Sequence, residues 1–478
     1  MTKSNKIKVF GVCSAVLLLA GCGTSKKLPD LQQRDLPAAF THSSPVLQLD
    51  TTANIAELPY QAFFQDKYLL ALIDSGLNRN NNMQVALKQI EIAQEALKQV
   101  KWGYLPTASL SVGTANITRP SNNSMNGMMA SQFLGKSYME DYSTTLTVAW
   151  EADIWGKIKS QKAGALAGYL QTQEAMNTVR TGLIAGIAQG YYNLLMFDQQ
   201  KVISEQNLAI LDSTLQITKV QQRLGLTNSL AVQQLENSRD NLSKAIRIID
   251  ENSAVQQYAL HALTGRMPIN IGERGRLTEI EGRSAFATGV PAELVSRRPD
   301  VKQAEFAFLR SVTDVKVARA NMYPALRITA QGGLNAFVAS NWFNVPGSLF
   351  ALVSGSITQP ILQGRQLKTA YNQAGIRVEQ TELQFKESVL QAVTEVSTIL
   401  EKISSLQDQQ DFNDKLVQRN QELIHQAKIL FKNDMATYLE ILAAQQSKLQ
   451  AELDQMMVKS QLLYAEVALY RALGGGVQ

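Results

Sequence analysis

The stretch VARANMYPALRIT (317–329) belongs to two kinds of structure at once. Ala318, Arg319 and Ala320 continue a helix-forming run. Tyr323-Pro324 ends it, because proline has no N–H to give and disfavours helix in the residue before it. Beyond the proline, ALRIT alternates apolar and polar side chains with the period of a strand. QVKWGYLPTASLSV (99–112) makes the same change of period, again at a proline, Pro106. A long helix is therefore expected to become a strand twice, at Pro106 and at Pro324.

Around these junctions lies long helical territory, with no proline between Pro120 and Pro268 and none after Pro360. In Lys157–Leu224, Ile184, Ile187, Tyr191 and Leu194 are spaced 3, 4, 3, and Leu208, Leu211 and Leu215 are spaced 3, 4. In Arg365–Lys432, Val389, Val393, Val396, Leu400 and Ile403 run 4, 3, 4, 3. This is a narrow coiled-coil seam. A helix through either run is ~100 Å long at 1.5 Å per residue, longer than a globular domain needs. The runs break at LGLTNS (224–229) and KNDMAT (432–437). There Gly225 and Asn228, and then Asn433 and Asp434, are expected to take left-handed angles at the tips of antiparallel hairpins.

The halves repeat. A shift of 218 carries Pro106 onto Pro324, Arg79 onto Arg297 and Ala86 onto Ala304. Shifts of 208 and 210 carry Gly156 onto Gly364 and Leu263 onto Leu473. Coiled-coil composition alone does not match prolines, strands and tips in this way, so the chain is read as an internal duplication.

Four segments have strand character. In 140–155, Tyr142, Thr144, Leu146, Val148, Trp150 and Ala152 share one face, and Ser143, Thr145, Thr147, Glu151 and Asp153 share the other. In 325–336, Leu326, Ile328, Ala330 and Leu334 alternate with Arg327, Thr329, Gln331 and Asn335. Segment 107–113 sets Leu110 and Val112 against Ser109 and Ser111, and 347–359 is β-rich but less regular. Such lengths suit tilted transmembrane strands. A soluble sandwich with one wet face gives the same alternation. Four strands do not close a channel by themselves, so a barrel requires sharing between chains.

The N-terminus sets the compartment. Lys3, Lys6 and Lys8 precede an apolar run, Val9–Ala20, that is too short to span a bilayer and reads as a secretory signal. Leu19-Ala20-Gly21-Cys22 resembles the bacterial lipobox, which implies a lipid on Cys22; Gly23 follows it, with no Asp to divert outer-membrane sorting. Removing the three lysines takes the net charge of +5 to 5 − 3 = +2. That is too small and too dispersed for a nucleic-acid partner. The only other cysteine, Cys13, leaves with the signal, so one mature chain forms no disulfide and no thiolate metal site. The expected organisation is a signal peptide (1–21), a lipid-anchored segment (22–60), a first repeat (61–265), a linker (266–296), a second repeat (297–475) and a tail (476–478).

WEADIWGKIKS (150–160), VSRRPDVKQAE (295–305), ARANMYPALRITAQGG (318–333), QPILQGRQLKTA (359–370) and the two tips resemble the outer-membrane factor (TolC/OprM-like) family, in its lipoprotein branch. The resemblance covers nearly the whole mature chain. It implies a mainly α fold with a transmembrane β part. In such a homotrimer each chain gives four strands to one outer-membrane barrel, and the coiled-coil hairpins form a periplasmic tunnel. It implies the passive exit duct of a tripartite pump, not an enzyme. Its partners would be outer-membrane lipid, a periplasmic adaptor and an inner-membrane transporter of the proton-driven resistance-nodulation-division type. The hairpin tips would carry the gate and the adaptor contact, with Glu440 as the candidate acid of the constriction. Ala443 and Ala231 leave neighbouring gate positions neutral.

Competing chemistry is thin. LGKS (134–137) lacks the earlier glycine of a phosphate loop, since Ala130 stands there. His42, His261 and His425 have no metal-ligand spacing, so no cofactor is expected beyond the lipid. Met125, Met128 and Met129 are soft ligands in principle, but lie in a polar surface loop. Besides drug or small-molecule efflux, the same fold would serve metal-ion efflux or protein secretion. A structural coiled-coil lipoprotein of the envelope would explain the helices and the anchor but not the strands.

Overall fold

The computed structural model describes residues 40, 49–50, 54–268, 272–282, 286–433 and 435–477. Cys22, His42 and Asp434 lie outside the described residues. The first repeat runs α1 (Lys67–Arg79), α2 (Asn81–Trp102), β1 (Thr107–Thr118), a short α3 (Met125–Gln132), β2 (Met139–Glu151), α4 (Lys157–Arg223) and α5 (Ser229–Leu263). The second runs α6 (Pro291–Arg297), α7 (Pro299–Ala320), β3 (Ala325–Ala336), β4 (Leu349–Thr358), α8 (Gln366–Lys432) and α9 (Tyr438–Ala472). The duplication is complete in the long helices: α4 and α8 each have 67 residues, and α5 and α9 each have 35.

The coiled-coil seam buries as its spacing requires. Ile184, Ile187, Tyr191 and Leu194 are buried on α4, and Val396, Leu400 and Ile403 on α8; Leu208, Val389 and Val393 are half-buried. The densest packing is at mid-length of α4, where Leu69 and Ile73 of α1, Leu260 of α5 and Tyr470 of α9 are all fully buried. Helices pack side by side in one layer. Towards the tips the order is α5, α4, α9, α8; towards the sheet it is α2, α4, α7, α8. Both rows leave α8 at one edge, and α2 and α5 at the other.

The strands form one antiparallel sheet in the order β1, β2, β3, β4. Pro106 and Pro324 each stand directly before a strand, as expected. Strand β1 is longer than its alternation suggested. Between Ser111 and Thr114 the register shifts, so that Val112 and Gly113 together oppose Thr144; Gly113 has φ +76°. This bulge inverts the parity of the strand. Leu110 before it and Ala115 and Ile117 after it therefore share a face, and the strand continues to Thr118.

Three other expectations are corrected. Strand β2 ends at Glu151, and Asp153 lies beyond it, where its carboxylate accepts the N–H groups of Ile158 and Lys159 at 2.9 and 3.0 Å to cap α4. Asn228 is extended (φ −98°, ψ 169°) because its side chain serves as N-cap of α5, accepting from the Ala231 N–H at 3.1 Å. Asn433 has φ −101°, and its amide donates back to the Ile429 carbonyl at 3.0 Å. Of the described tip residues, only Gly225 (φ +75°) is left-handed.

Candidate functional site

The candidate site is the sheet, its junction with the helices, and the hairpin tips. Pairing aligns the apolar side chains across all four strands. Leu110 pairs with Leu146, Val148 with Ala330, Trp150 with Ile328, Ala330 with Val353 and Leu326 with Ile357. The opposite face carries Ser109, Ser111, Thr145, Thr147, Thr329 and Gln331. Its charges are few and paired: Glu151 meets Lys157 at 3.0 Å and Arg327 at 3.4 Å, and Asp141 accepts from Asn335 at 2.5 Å. A mainly apolar face, with Thr144 within it and Glu140 at its far end, backed by a hydroxyl-rich one suits lipid outside and water inside. Among the described residues no helix is long and apolar enough to cross a membrane.

Aromatic side chains mark both margins of the sheet. Near the helices, the Trp150 indole donates to the Tyr104 carbonyl at 2.9 Å. The Trp155 indole donates to the Pro324 carbonyl at 2.7 Å and stacks on Tyr323 with centroids 4.7 Å apart. At the far end Tyr142 lies 5.6 Å from Trp342. Tyr142 and Trp150 are eight residues apart on β2, or ~27 Å along the strand. Tilt reduces this to roughly 20 Å across a membrane, near the height of an outer-membrane apolar band.

At the tips, Tyr438 reaches across to donate to Gln234 at 2.5 Å. It packs with Leu442 against Leu211, Leu215, Val232 and Leu235, so the second hairpin rests on the first. Glu440 forms a capping box with Thr437: its carboxylate accepts the Thr437 N–H at 2.8 Å and the Thr437 hydroxyl. That hydroxyl contact, with backbone N–H groups, holds the Glu440 carboxyl below its usual value, so it stays charged. The equivalent place at the first tip, Ala231, is neutral.

Other candidates resolve into local structure. Lys136 of the LGKS stretch pairs with Glu140 at 3.1 Å and lies over the Tyr138 ring. His261 is buried and His425 exposed. Among the described residues no group of His, Cys, Asp and Glu is placed to hold a metal. Met125, Met128 and Met129 are exposed on α3. An ionic joint that spacing alone did not reveal lies at Arg298. It meets Asp300 at 2.6 Å, Glu395 at 2.7 Å and the Ala472 carbonyl at 3.1 Å. Its only trace in the sequence is the RRPD run.

Comparison with known proteins agrees with this geometry. Toluene efflux pump outer membrane protein TtgF of Pseudomonas putida is 25% identical over 468 residues, 96% of this chain and 95% of that protein. Cation efflux system protein CusC of Escherichia coli is 24% identical, over 98% of this chain and 99% of its own length. The solved structure of the outer-membrane channel OprN shares the fold, with a TM-score of 0.83 at 22% identity, covering 94% of this chain and 99% of that one. The family model described as outer membrane efflux protein matches residues 72–266 and 290–475, one segment per repeat. The chain belongs to the outer membrane efflux protein family, whose members form exit ducts in the outer membrane that extend into the periplasm.

Proposed function

We propose that three copies close into one tube and passively conduct small molecules to the outside, fed by an inner-membrane transporter through a periplasmic adaptor. The observation that carries this is the open edge. Among the described residues strands β1 and β4 are both unpaired on their outer sides, and helices α8 and α2/α5 lie at opposite ends of each row. The exposed edges carry heptad-spaced apolar side chains: Ile376, Leu383 and Leu390, then Leu416, Leu423 and Leu430 on α8. Facing them on the other edge are Val85 and Ile92 of α2, and Ile248 and Val255 of α5. Such stripes are seams awaiting a partner helix. Because the two edges differ, the contact is head to tail and ends only by closing a ring.

Stoichiometry is set by the lumen. Two copies give eight strands, a barrel whose interior side chains fill. Three give twelve, roughly 24 Å across at ~4.8 Å spacing and ~40° tilt, which leaves a water-filled passage.

The relatives named for toluene and cation efflux support outward transport and leave two cargo classes, organic solutes and metal ions. The hydroxyl-rich pore face, with its charges paired, favours the first. The adaptor and transporter are the partners that efflux-pump relatives imply, and a proton-driven transporter of the resistance-nodulation-division type fits a duct without a motor. Cys22 is the anchor: Cys22→Ser should abolish fatty-acid labelling, and undiminished labelling would refute it. Native mass measurement of the detergent-purified protein tests the ring, with three chains expected and any other closed number contradicting it.

A further inference from the structure

The turn from β4 to α8 holds the two most exposed large apolar side chains among the described residues, Ile361 at 88% and Leu362 at 93%. The equivalent turn of the first repeat, from β2 to α4, is closed. There Asp153 caps α4, and Trp155 is stacked on Tyr323 and hydrogen-bonded to the Pro324 carbonyl. Gly156 and Arg365, the left-handed N-cap residues of α4 and α8 with φ +69° and +64°, bring the two turns into register. In that register Leu362 takes the place of Asp153, Gln363 that of Ile154, and Gly364 that of Trp155. Arg365 makes no side-chain capping bond, and among the described residues none reaches the first turn of α8 as Asp153 reaches that of α4. The later turn has exchanged its cap for an apolar surface.

The duplication also shows what that surface faces. Trp155 seats on Tyr323-Pro324, the end of the helix that leads into β3. Shifted by 218, this place is Leu105-Pro106, the end of the helix that leads into β1. Residues Trp102, Tyr104 and Leu105 there are 69%, 41% and 51% exposed. Within one chain the two surfaces cannot meet. Strands β1 and β4 are separated by β2 and β3, and three steps of ~4.8 Å put them roughly 14 Å apart. Between copies, antiparallel pairing of β4 with the next β1 sets Thr358 near the level of Thr107 and brings the turns together.

We propose that Ile361 and Leu362 of each copy pack on Trp102 and Leu105 of the next, forming an apolar clasp where barrel becomes tunnel. The clasp rests on the closed ring proposed for the duct. It differs in chemistry from the joint inside each chain. The internal joint is fixed by an indole hydrogen bond and a capped helix; the joint between copies is held by apolar contact alone. The seams between copies are thus the places where the strand-to-helix corner can slide without losing a directional bond.

Cysteine pairing tests the contact. The sequence has no cysteine but Cys13 and Cys22, so Leu105→Cys with Leu362→Cys places two defined thiols in each chain. A disulfide needs Cα atoms within ~7 Å, which excludes a link within one chain. Mild oxidation should give covalent dimers and trimers on a denaturing gel, absent from either single variant. A trimer by native mass whose thiols stay free and react with a lipid-soluble maleimide would overturn the clasp and assign the surface to lipid, leaving the ring intact. Monomers by native mass would overturn both. Leu362→Glu, exposed in the single chain and therefore harmless to its fold, should lower the trimer fraction several-fold on detergent dilution. An unchanged fraction would also refute the clasp.

Discussion

Arg298 occupies in the second repeat the place that Asn80 holds in the first, and each ties down the last turn of the hairpin helix returning beside it. The Asn80 amide donates to the Leu263 carbonyl at 2.9 Å, and the Arg298 guanidinium to the Ala472 carbonyl at 3.1 Å. The glycines just past those helix ends both sit close to the facing backbone, the first more tightly: a Cβ on Gly265 would clash with the Arg79 carbonyl oxygen, and one on Gly474 would lie 3.0 Å from that of Arg297. Duplication has kept the joint and changed its chemistry from neutral to ionic.

Arg298→Leu should therefore cost more than Asn80→Ala. Removing Arg298 strands the Asp300 carboxylate and leaves Glu395 with Arg471 alone, a loss of about 2–4 kcal/mol. The upper end for wholly buried pairs is not reached, because the Asp300 side chain is 44% exposed. Removing the Asn80 cap should cost about 1–2 kcal/mol. Denaturant midpoints of the two variants check the order. For pH, burial works to raise the Asp300 carboxyl, but the hydrogen bonds and charge of Arg298 outweigh it and hold it below its usual value. A depressed carboxyl stabilises the fold above the unfolded-state pKa of about 4. That contribution should fade as pH falls through the lower folded value, and Arg298→Leu should remove this acid sensitivity.

The two sheet faces should respond oppositely to charge. Val148→Arg or Ile328→Arg places a cation on the face that meets lipid and should cost about 2–4 kcal/mol at mid-depth. Thr147→Arg or Thr329→Arg should fold normally and alter conductance. Folding yield into lipid vesicles separates them, and equal tolerance on both faces would favour a soluble sheet.

Gly113 should resist replacement. Its φ of +76° lies where a side chain is strained, so Gly113→Val should cost about 1–2 kcal/mol. Deleting Gly113 should cost less, because without the extra residue Leu110, Val112, Ala115 and Ile117 fall on one face by plain alternation and the register on both sides is kept. Heat-denaturation midpoints of the two variants check this order.

How much of this was legible depended on whether a pattern stayed in phase. The helix-to-strand changes at Pro106 and Pro324 and the seam through Tyr191 and Leu400 were readable, because period and proline act locally. The half of β1 beyond Gly113 was not, since the bulge inverts its alternation and makes Ala115 and Ile117 look out of place. Asn228 was misjudged because asparagine suits both a left-handed turn and an N-cap, and the Ala231 N–H decides between them. The Thr437–Glu440 box was present as T-x-x-E but was overshadowed by the gate reading of the same glutamate. Arg298 gave no periodic signal, because besides the adjacent Asp300 its partners come from 97 and 174 residues away.

Glu440 offers a clean separation of charge from capping. Glutamine can still accept from the Thr437 N–H, so Glu440→Gln keeps the helix start and removes one charge per chain from the tip. Cation selectivity and block by multivalent cations should fall, with assembly unchanged. Unaltered selectivity in an assembled variant would leave Glu440 as a cap alone.

The most direct test of the whole account is electrical. Purified protein, shown to be assembled by native mass, is added to a planar lipid bilayer at low protein density. Three copies enclosing a water-filled passage should give discrete, uniform conductance steps, altered in size or selectivity by Thr147→Arg and unaffected by Leu208→Met on the helix seam. Assembled protein that inserts and carries no current would contradict the duct and return the chain to an envelope scaffold.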